Sequence, residues 1–371
     1  MKKYVALILL VAIQVSCAQN DKTIKTPEKI TYDVETVVEG INIPWGMAFL
    51  PSGDLLVTEK SGKIYKVHSG EKTEISHDLK VYNRGQGGIM DVVLHPNYED
   101  NGWIYFSYAS DEGEGEGGHT AIARAKLNGN SLTDTEQLYK ATPNTTKGEH
   151  FGSRIAFDNE GYLYFSIGER GARDVNPQDI TRDGGKVYRL YDDGRVPESN
   201  PFFNTPDAVK AIYSYGHRNP QGMLKHYKTG EIWVHEHGPQ GGDEINVVKK
   251  GVNYGWPVIS YGENYDGTSF TDITEKEGME QPLYYWVPSI APSGMAFVTS
   301  DVYPNWKGSL MVGSLKFGYL ERLEIENNKV TSREKLVEGL GRIRDVKQGP
   351  DGYLYIGVEG TGIVKLVPKS E

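Results

Sequence analysis

The chain has 371 residues, and its 40 Lys and Arg against 50 Asp and Glu give a formal net charge of -10 at pH 7. Such an acidic chain is poorly suited to nucleic acid, because phosphate binding needs a basic surface. The single cysteine excludes a disulfide within the chain and any cysteine-rich metal site. With 44 Gly and 24 Tyr, the composition favours a β-rich fold with many turns and excludes wholesale disorder.

The first residues have the anatomy of an export signal. Lys2 and Lys3 precede an apolar run of about ten residues, which is too short to span a bilayer. Cys17 at its end predicts a lipoprotein-type signal peptide over residues 1–16, with Cys17 as the lipidation site. Gln14, where Leu is usual, leaves ordinary secretory cleavage as the alternative. Residues 17–30 are polar and are interpreted as a tether, so we expect a periplasmic, outer-membrane or cell-surface protein whose membrane contact is an N-terminal lipid anchor.

The rest of the chain repeats one pattern six times: a short apolar strand, a turn ending in glycine, and an alternating or apolar second strand. The six turn glycines are Gly53, Gly102, Gly161, Gly230, Gly308 and Gly352. Repeats of about 40–50 residues with three or four strands each are typical of propeller blades. The sequence therefore predicts an all-β fold, a single six-bladed β-propeller over residues 31–371, with residues 31–38 closing the ring in the last blade. A pair of β-sandwiches is the alternative.

This topology predicts which polar residues share one mouth of the central channel. Residues just before the first strand of a blade, and residues just after the second strand, end at the same rim. The polar residues at such positions are Gln86, His150, Arg154, Glu169, Arg218, Asn219, residues 235–239, Ser289, Ser293, Lys316, Arg342 and Arg344. Clustered guanidiniums repel one another unless an anion meets them, and their forked donors suit carboxylates. We therefore expect a small ligand with several carboxylates or phosphates.

Eight ordered segments carry a family resemblance. They are residues 85–88, 150–154, 216–222, 238–246, 253–257, 288–294, 313–316 and 341–345, for example Gly-His-Arg-Asn-Pro-Gln-Gly at 216–222. Over residues 43–366 the chain resembles the soluble pyrroloquinoline-quinone (PQQ) aldose sugar dehydrogenases of the glucose/sorbosone dehydrogenase family. The resemblance implies oxidation of an aldose at C1 to the lactone, with the electrons passed to an external acceptor.

The resemblance also implies two cofactors, PQQ and calcium. The residues implied for PQQ carry cations or hydrogen-bonding groups, namely Arg218, Asn219, Ser289, Lys316, Arg342 and Arg344. The backbone carbonyls of Gly238 and Pro239 would bind a calcium ion that polarises the quinone, because calcium is a hard cation with oxygen ligands. Asp243, Glu244 and the Tyr254 carbonyl would form a second, structural calcium site.

By the same resemblance, His150 would be the general base. It would take the proton of the anomeric hydroxyl while hydride leaves C1 for the quinone, a task that suits imidazole. Glu169 would orient His150, and Arg218 would stabilise the negative charge that develops on the quinone oxygen. Gln86 and Glu149 would contact sugar hydroxyls. Because the loops are short, we expect broad acceptance of aldoses rather than strict glucose specificity.

Two other functions stay open. One is a calcium-dependent lactonase-type propeller hydrolase, which the surplus of cations at the mouth disfavours because they would compete with a metal. The other is a non-catalytic propeller that binds a glycan or a protein, and it is disfavoured because the His150 and Arg218 set is complete. His235 and His237 alternate as zinc ligands do, but spacing fixes no third ligand nearby. Either a monomer or a dimer is compatible with the sequence.

Overall fold

The computed structural model describes residues 31–369, which form six four-stranded antiparallel sheets. The predicted signal peptide, tether and lipidation of Cys17 lie outside the described residues. Helical structure in the described part is confined to α1 (Tyr98–Asn101) and one 3₁₀ turn (Pro304–Trp306). Across residues 31–369, we find no helix with the length and apolar character needed to cross a membrane.

The strands follow in chain order, blade after blade. Blade 1 has β2 (Pro44–Phe49), β3 (Leu55–Glu59), β4 (Lys63–His68) and β5 (Glu71–Ile75); blade 2 has β6 (Ile89–Leu94), β7 (Trp103–Ser110), β8 (His119–Asn128) and β9 (Ser131–Lys140). Blade 3 has β10 (Ile155–Phe157), β11 (Leu163–Ile167), β12 (Lys186–Leu190) and β13 (Ile212–Tyr215); blade 4 has β14 (Pro220–Lys225), β15 (Ile232–Glu236), β16 (Asp243–Val247) and β17 (Tyr284–Trp286). Blade 5 has β18 (Pro292–Phe297), β19 (Leu310–Ser314), β20 (Leu320–Glu326) and β21 (Lys329–Leu336); blade 6 has β22 (Ile343–Gln348), β23 (Leu354–Val358), β24 (Gly362–Pro368) and β1 (Tyr32–Glu39).

The last blade is completed by the first strand of the chain. Strand β1 pairs antiparallel with β24, from Tyr32 opposite Pro368 to Glu39 opposite Gly362. The first strand of every blade packs against the first strands of both neighbouring blades, so the six sheets form a closed ring. The predicted six-bladed propeller and its closing strand are confirmed, and the two-sandwich alternative is wrong.

The predicted turns follow the first strand of each blade. All six turn glycines have positive φ, for example 87° at Gly53 and 86° at Gly352, a conformation that costs glycine least because it has no Cβ. The second strands that follow are buried on both faces between neighbouring blades, as in β11 and β19. This explains why the sequence shows continuous apolar runs there rather than strict alternation.

A buried ion cluster fills the hub, by which we mean the axis surrounded by the six first strands. Arg154 Nη1 lies 3.0 Å from Asp91 Oδ1 and 3.1 Å from Asp345 Oδ1, and the guanidinium lies 4.3 Å from the Trp45 ring centroid. Gly294 makes room for the cluster, because a Cβ there would lie 2.2 Å from Asp345 Oδ1. Arg154 is therefore committed to the hub, and its predicted place among the cations at the channel mouth is wrong.

Candidate active site

Two adjacent cavities open at the rim where the first strands begin. The larger, of about 720 Å³, is here called the cation cavity. The smaller, of about 400 Å³, contains His150 and is called the histidine cavity. Pro239 and Tyr265 line both, so these two residues mark the border between them.

The cation cavity collects side chains from several blades, as the topology predicts. Its wall includes Lys60, Lys316, Arg342 and Arg344, together with one carboxylate, that of Glu359. The predicted residues Gln86, Pro239 and Ser289 also line it. Lys60 was not predicted, although it directly follows the second strand of blade 1 and the same topological rule points to it.

Glu359 pairs with two of these cations. Its Oε2 lies 2.8 Å from Arg342 Nε and its Oε1 lies 3.0 Å from Arg344 Nε. Burial raises the pKa of Glu359, but Arg344 and Arg342 together hold that pKa below its ordinary value. The two guanidiniums are thus ion-paired within the chain, whereas the sequence predicts that an anionic ligand meets them. Four cations still face one carboxylate in this wall, so the cavity keeps an excess of positive charge.

His150 is held by contacts on both its ring and its backbone. Its Nδ1 is hydrogen-bonded to Oε1 of Glu169, a residue with a side chain only 2% exposed. Its backbone N–H donates to Gln86 Oε1 at 2.9 Å, and its φ of 57° is left-handed. Because Nδ1 donates to the carboxylate, Nε2 keeps the lone pair. The two predicted catalytic residues therefore form an oriented imidazole–carboxylate pair.

The charge state of His150 suits a base. Burial lowers its pKa below the ordinary 6.5; the bond to Glu169 opposes this shift, and the positive charge of Arg218 reinforces it. A lowered pKa keeps the imidazole neutral at pH 7, and a neutral imidazole can accept a proton.

Arg218 lies in the wall of the histidine cavity and is 5% exposed. Its Nη1 donates to the carbonyls of His237 at 3.1 Å and Gly238 at 2.9 Å, and its guanidinium lies 5.4 Å from the Trp256 ring centroid. The Gly238 carbonyl, a predicted calcium ligand, thus accepts from a cation. The guanidinium takes one of the two lone pairs of this oxygen and places a positive charge beside it, which disfavours a calcium ion at the same carbonyl.

Asp243 joins two loops rather than facing a cavity. Its buried carboxylate accepts from Gly238 N at 2.8 Å, Ile290 N at 2.6 Å, Ala291 N at 2.9 Å and Ser289 Oγ at 2.8 Å. A carboxylate offers about four lone-pair sites, so these donors leave Asp243 none for a metal. The Ser289 hydroxyl proton is likewise committed to Asp243.

Glu244 and Tyr254 line a third, smaller cavity of about 10 Å³, here called the glutamate cavity, whose wall also includes Glu236 and shares Arg218 with the histidine cavity. It has room for about one water-sized particle. Burial, followed by the charge of Glu236, raises the pKa of Glu244 to about 8. Asn246 Nδ2 donates to Glu244 Oε2 at 3.1 Å, while Asn246 Oδ1 is buried without a partner among the described residues. The carboxylates of Glu236, which is buried, and Glu244, which is half-buried, are oxygen ligands of the kind that calcium takes, although Arg218 places a positive charge in the same wall.

Zinc binding by His235 and His237 has no support in the structure. Within the described part of the chain, no group of three or more His, Cys, Asp and Glu side chains could hold a metal. His237 Nε2 lies 2.6 Å from the Pro292 carbonyl, while both ring nitrogens of His235 are buried without partners in the described residues.

Two other predicted residues, Asn219 and Glu149, line neither the cation cavity nor the histidine cavity. Asn219 Oδ1 accepts from Gly152 N at 3.0 Å, but its buried Nδ2 has no partner among residues 31–369. Asn219 is fully buried and belongs to the wall of neither cavity. Glu149 does not belong to the wall of either cavity; its carboxylate lies against Gly171, a residue of the histidine cavity.

Sequence reasoning missed most of the histidine cavity wall. The unpredicted residues there are Gly171, Ala172, Arg173, Asp174, Val175, Trp256, Asn264 and Tyr265. They come from the loop between β11 and β12 and from the long loop between β16 and β17. The repeat identifies only the ends of the strands, so it carries no signal for residues in the middle of such loops.

Comparison with known proteins adds four findings. The family model for glucose/sorbosone dehydrogenase matches residues 41–365. The chain is 38% identical to the aldose sugar dehydrogenase YliI of Escherichia coli (strain K12), over 92% of this chain and 94% of that protein. The structure of the soluble aldose sugar dehydrogenase of Escherichia coli in the apo form is similar, with a TM-score of 0.85, 37% identity, and coverage of 91% of this chain and 100% of that one. The PQQ-bound aldose sugar dehydrogenase of Streptomyces coelicolor gives a TM-score of 0.75 at 30% identity, covering 93% of this chain and 100% of that one.

Proposed function

The chain belongs to the glucose/sorbosone dehydrogenase family, and on that premise we propose that it is a quinoprotein that oxidises aldose sugars at C1 with PQQ as its cofactor. The observation that carries this proposal is the position of the His150–Glu169 pair beside a cavity with four cations in its wall. Proton removal requires a base such as imidazole, and a carboxylate-rich electron acceptor requires cations to bind it. The site has both side by side.

PQQ fits the cation cavity by charge. It carries three carboxylates, and when bound it supplies an ortho-quinone that accepts hydride from the sugar. Lys316 would hold it, since this lysine lies in the wall and makes no ion pair with any described residue. Arg342 and Arg344 would contribute charge-assisted hydrogen bonds.

The protein's own part in the reaction is proton removal. His150 Nε2 accepts the proton of the anomeric hydroxyl, which makes it easier for hydride to leave C1. Glu169 keeps the ring in the tautomer that exposes Nε2 and stabilises the imidazolium that forms. Arg218 places a permanent positive charge in the same wall, which favours negative charge that develops nearby during the reaction. The product is the aldonolactone.

We propose calcium as a structural ion in the glutamate cavity, which Glu244 and Tyr254 line. The support is the pair of carboxylates, Glu236 and Glu244, in its wall and the vacant oxygen of Asn246, whose Nδ2 donates to Glu244. A catalytic calcium ion at Gly238 and Pro239 is not part of the proposal, because the Gly238 carbonyl accepts a hydrogen bond from Arg218. Gln86 and Glu149 as sugar contacts, an external electron acceptor, and export with lipidation of Cys17 are also proposals, and they rest on the sequence alone.

Reconstitution tests the proposed function directly. Purified protein is loaded with PQQ and calcium, several aldoses are added, and reduction of an electron-accepting dye is followed while absorbance reports bound PQQ. We expect dye reduction with more than one aldose. We expect His150→Ala to lose about 10²–10⁴-fold in kcat while its affinity for PQQ is unchanged. The proposal fails if PQQ does not bind and no aldose reduces the dye. Hydrolysis of a lactone without PQQ would instead favour the lactonase alternative.

A further inference from the structure

An exposed tyrosine stands at the border of the two cavities. Tyr265 lines both, and it is 73% exposed, more than any other large hydrophobic side chain in residues 31–369. An exposed aromatic ring is ordinary when it stands alone on a surface, but one at the mouth of a cavity marks a place for a ligand. The position of Tyr265 therefore indicates a contact with a ligand.

The backbone around Tyr265 forms a tight turn over residues 264–268, here called the tyrosine turn. Asn264 N donates to Thr268 O and Gly267 N donates to Asn264 O, both at 2.9 Å. Asp266 Oδ1 accepts from Thr268 N at 3.0 Å and from its hydroxyl at 2.6 Å, and Gly267 has a φ of 79°. Such bonds and a left-handed glycine fix a turn locally, so Tyr265 is held at a defined place although its ring is exposed.

The tyrosine turn is also attached to both cavities. On the side of the histidine cavity, Arg173 Nη1 donates to Asn264 Oδ1 at 3.0 Å. On the side of the cation cavity, Gln240 N donates to Glu263 O at 3.1 Å and Gln240 Nε2 to Glu263 Oε1 at 3.0 Å. These contacts join blade 3 and blade 4 loops across the border, and the ring of Tyr265 lies between them.

We propose that Tyr265 contacts the substrate, with its ring packed on the C–H face of the aldose that is bound beside His150, and that Asn264 positions it through Arg173. This inference rests on the proposed function and specifies how the sugar is held. An aldose ring has a face of C–H groups, and an aromatic ring with its negative face is the complementary surface. Arg173, Asp174 and Asn264 in the same wall offer polar groups for the hydroxyls at the ring edge.

The test uses the full-length protein loaded with PQQ and calcium. We compare Tyr265→Ala, Tyr265→Phe and, as a matched control, Tyr227→Ala. Tyr227 is a second exposed tyrosine, in the wall of a different cavity after β14. KM and kcat are measured for several aldoses, and calorimetry gives the Kd of a methyl glycoside. This probe is not oxidised, because its anomeric oxygen has no proton for His150 to take.

We expect Tyr265→Ala to raise both KM and the probe Kd by about tenfold, the loss of one aromatic contact, while kcat and the PQQ affinity stay unchanged. Tyr265→Phe and Tyr227→Ala should match the wild type. Asn264→Ala should raise KM in the same direction, and Asn264→Asp should restore it because an oxygen again faces Arg173.

Three results would overturn the inference: an unchanged probe Kd in Tyr265→Ala, a weaker PQQ affinity with unchanged probe binding, or no binding of the probe by the wild type. If the wild type oxidises no aldose but binds the probe through Tyr265, the proposed oxidation fails and the sugar contact stands. The two proposals therefore fail by different measurements.

Discussion

Nδ1 of His150 is hydrogen-bonded to the carboxylate of Glu169, which comes from the loop after β11 and is buried beneath the imidazole. Burial lowers the pKa of His150, the bond to Glu169 opposes this shift and Arg218 adds to it, so the net shift is downward from 6.5. The active form is the neutral base, and its activity is lost as pH falls through the folded-state pKa. The wild-type kcat should therefore decline only below about pH 6.5.

Glu169→Gln removes the negative charge that supports the imidazolium. Because Glu169 raises the pKa of His150, its loss should move the acidic limb of the kcat profile to lower pH. The rate on the plateau should fall by about 10²-fold, since the tautomer and the imidazolium are both less well held. Steady-state kcat measured from pH 4 to 9 checks both effects. An unchanged limb and plateau would show that Glu169 has no part in the function of His150.

Arg342→Gln should weaken PQQ binding. Arg342 donates from Nη1 to the Leu315 carbonyl at 3.0 Å and pairs with Glu359, while its side chain stays 54% exposed in the cation cavity. Loss of one charge-assisted hydrogen bond should raise the Kd for PQQ by about tenfold or more. The Kd is measured by absorbance titration. Arg195→Gln is the control, because Arg195 is an exposed arginine that pairs with Asp193 outside both cavities; equal losses in the two variants would contradict the prediction.

Arg154→Met should destabilise the folded ring, although Arg154 itself belongs to the wall of neither cavity. The substitution leaves the carboxylates of Asp91 and Asp345 in the hub without a cation, and both side chains are only about 1% exposed. Breaking a buried ion cluster from one side costs about 3–5 kcal/mol. Urea unfolding measures this free energy. The triple variant with Asp91→Asn and Asp345→Asn should recover most of the loss, and a single variant as stable as the wild type would refute the account of the hub.

Removal of calcium should lower the melting temperature of the wild type and leave Glu244→Gln nearly unaffected. A ligand that binds only the folded state stabilises it by about 2.7 kcal/mol at a hundred times its Kd. Differential scanning calorimetry with and without a chelator gives the difference. Glu280→Gln, at an exposed carboxylate that pairs with Lys249, should keep the full calcium effect. If Glu244→Gln also keeps it, the ion binds elsewhere.

The fold was predictable because its signals are local. A turn with a left-handed φ favours glycine, as at Gly161, and a strand buried on both faces favours an apolar run. Each blade can therefore be identified from a short stretch of sequence. The mouth followed from topology, which brought Lys316 and Arg342 from different blades into one wall. The same rule covers Lys60 and Glu359, which directly follow the second strands of blade 1 and blade 6, although neither was predicted.

The remaining site features depend on contacts between distant segments. Asp243 and Glu244 are adjacent in the sequence, which therefore predicts the same role for both carboxylates. The Asp243 carboxylate accepts hydrogen bonds from donors near residue 290, and of the two only Glu244 lines the glutamate cavity. Tyr265 depends on Arg173, which is 91 positions from Asn264 in the chain. No periodicity in the sequence reports such a contact, and long loops follow tertiary packing rather than local propensity.

The pairing of β1 with β24 also determines how the ring responds to force. Tyr32 lies opposite Pro368, so residues 31 and 369 leave the sheet at the same end of an antiparallel pair. Tension between those two points breaks the backbone hydrogen bonds between β1 and β24 one after another, from Tyr32 toward Glu39. The other five blades carry no load until that seam has parted, so the molecule should yield mechanically at low force at its seam while the blade interfaces stay intact.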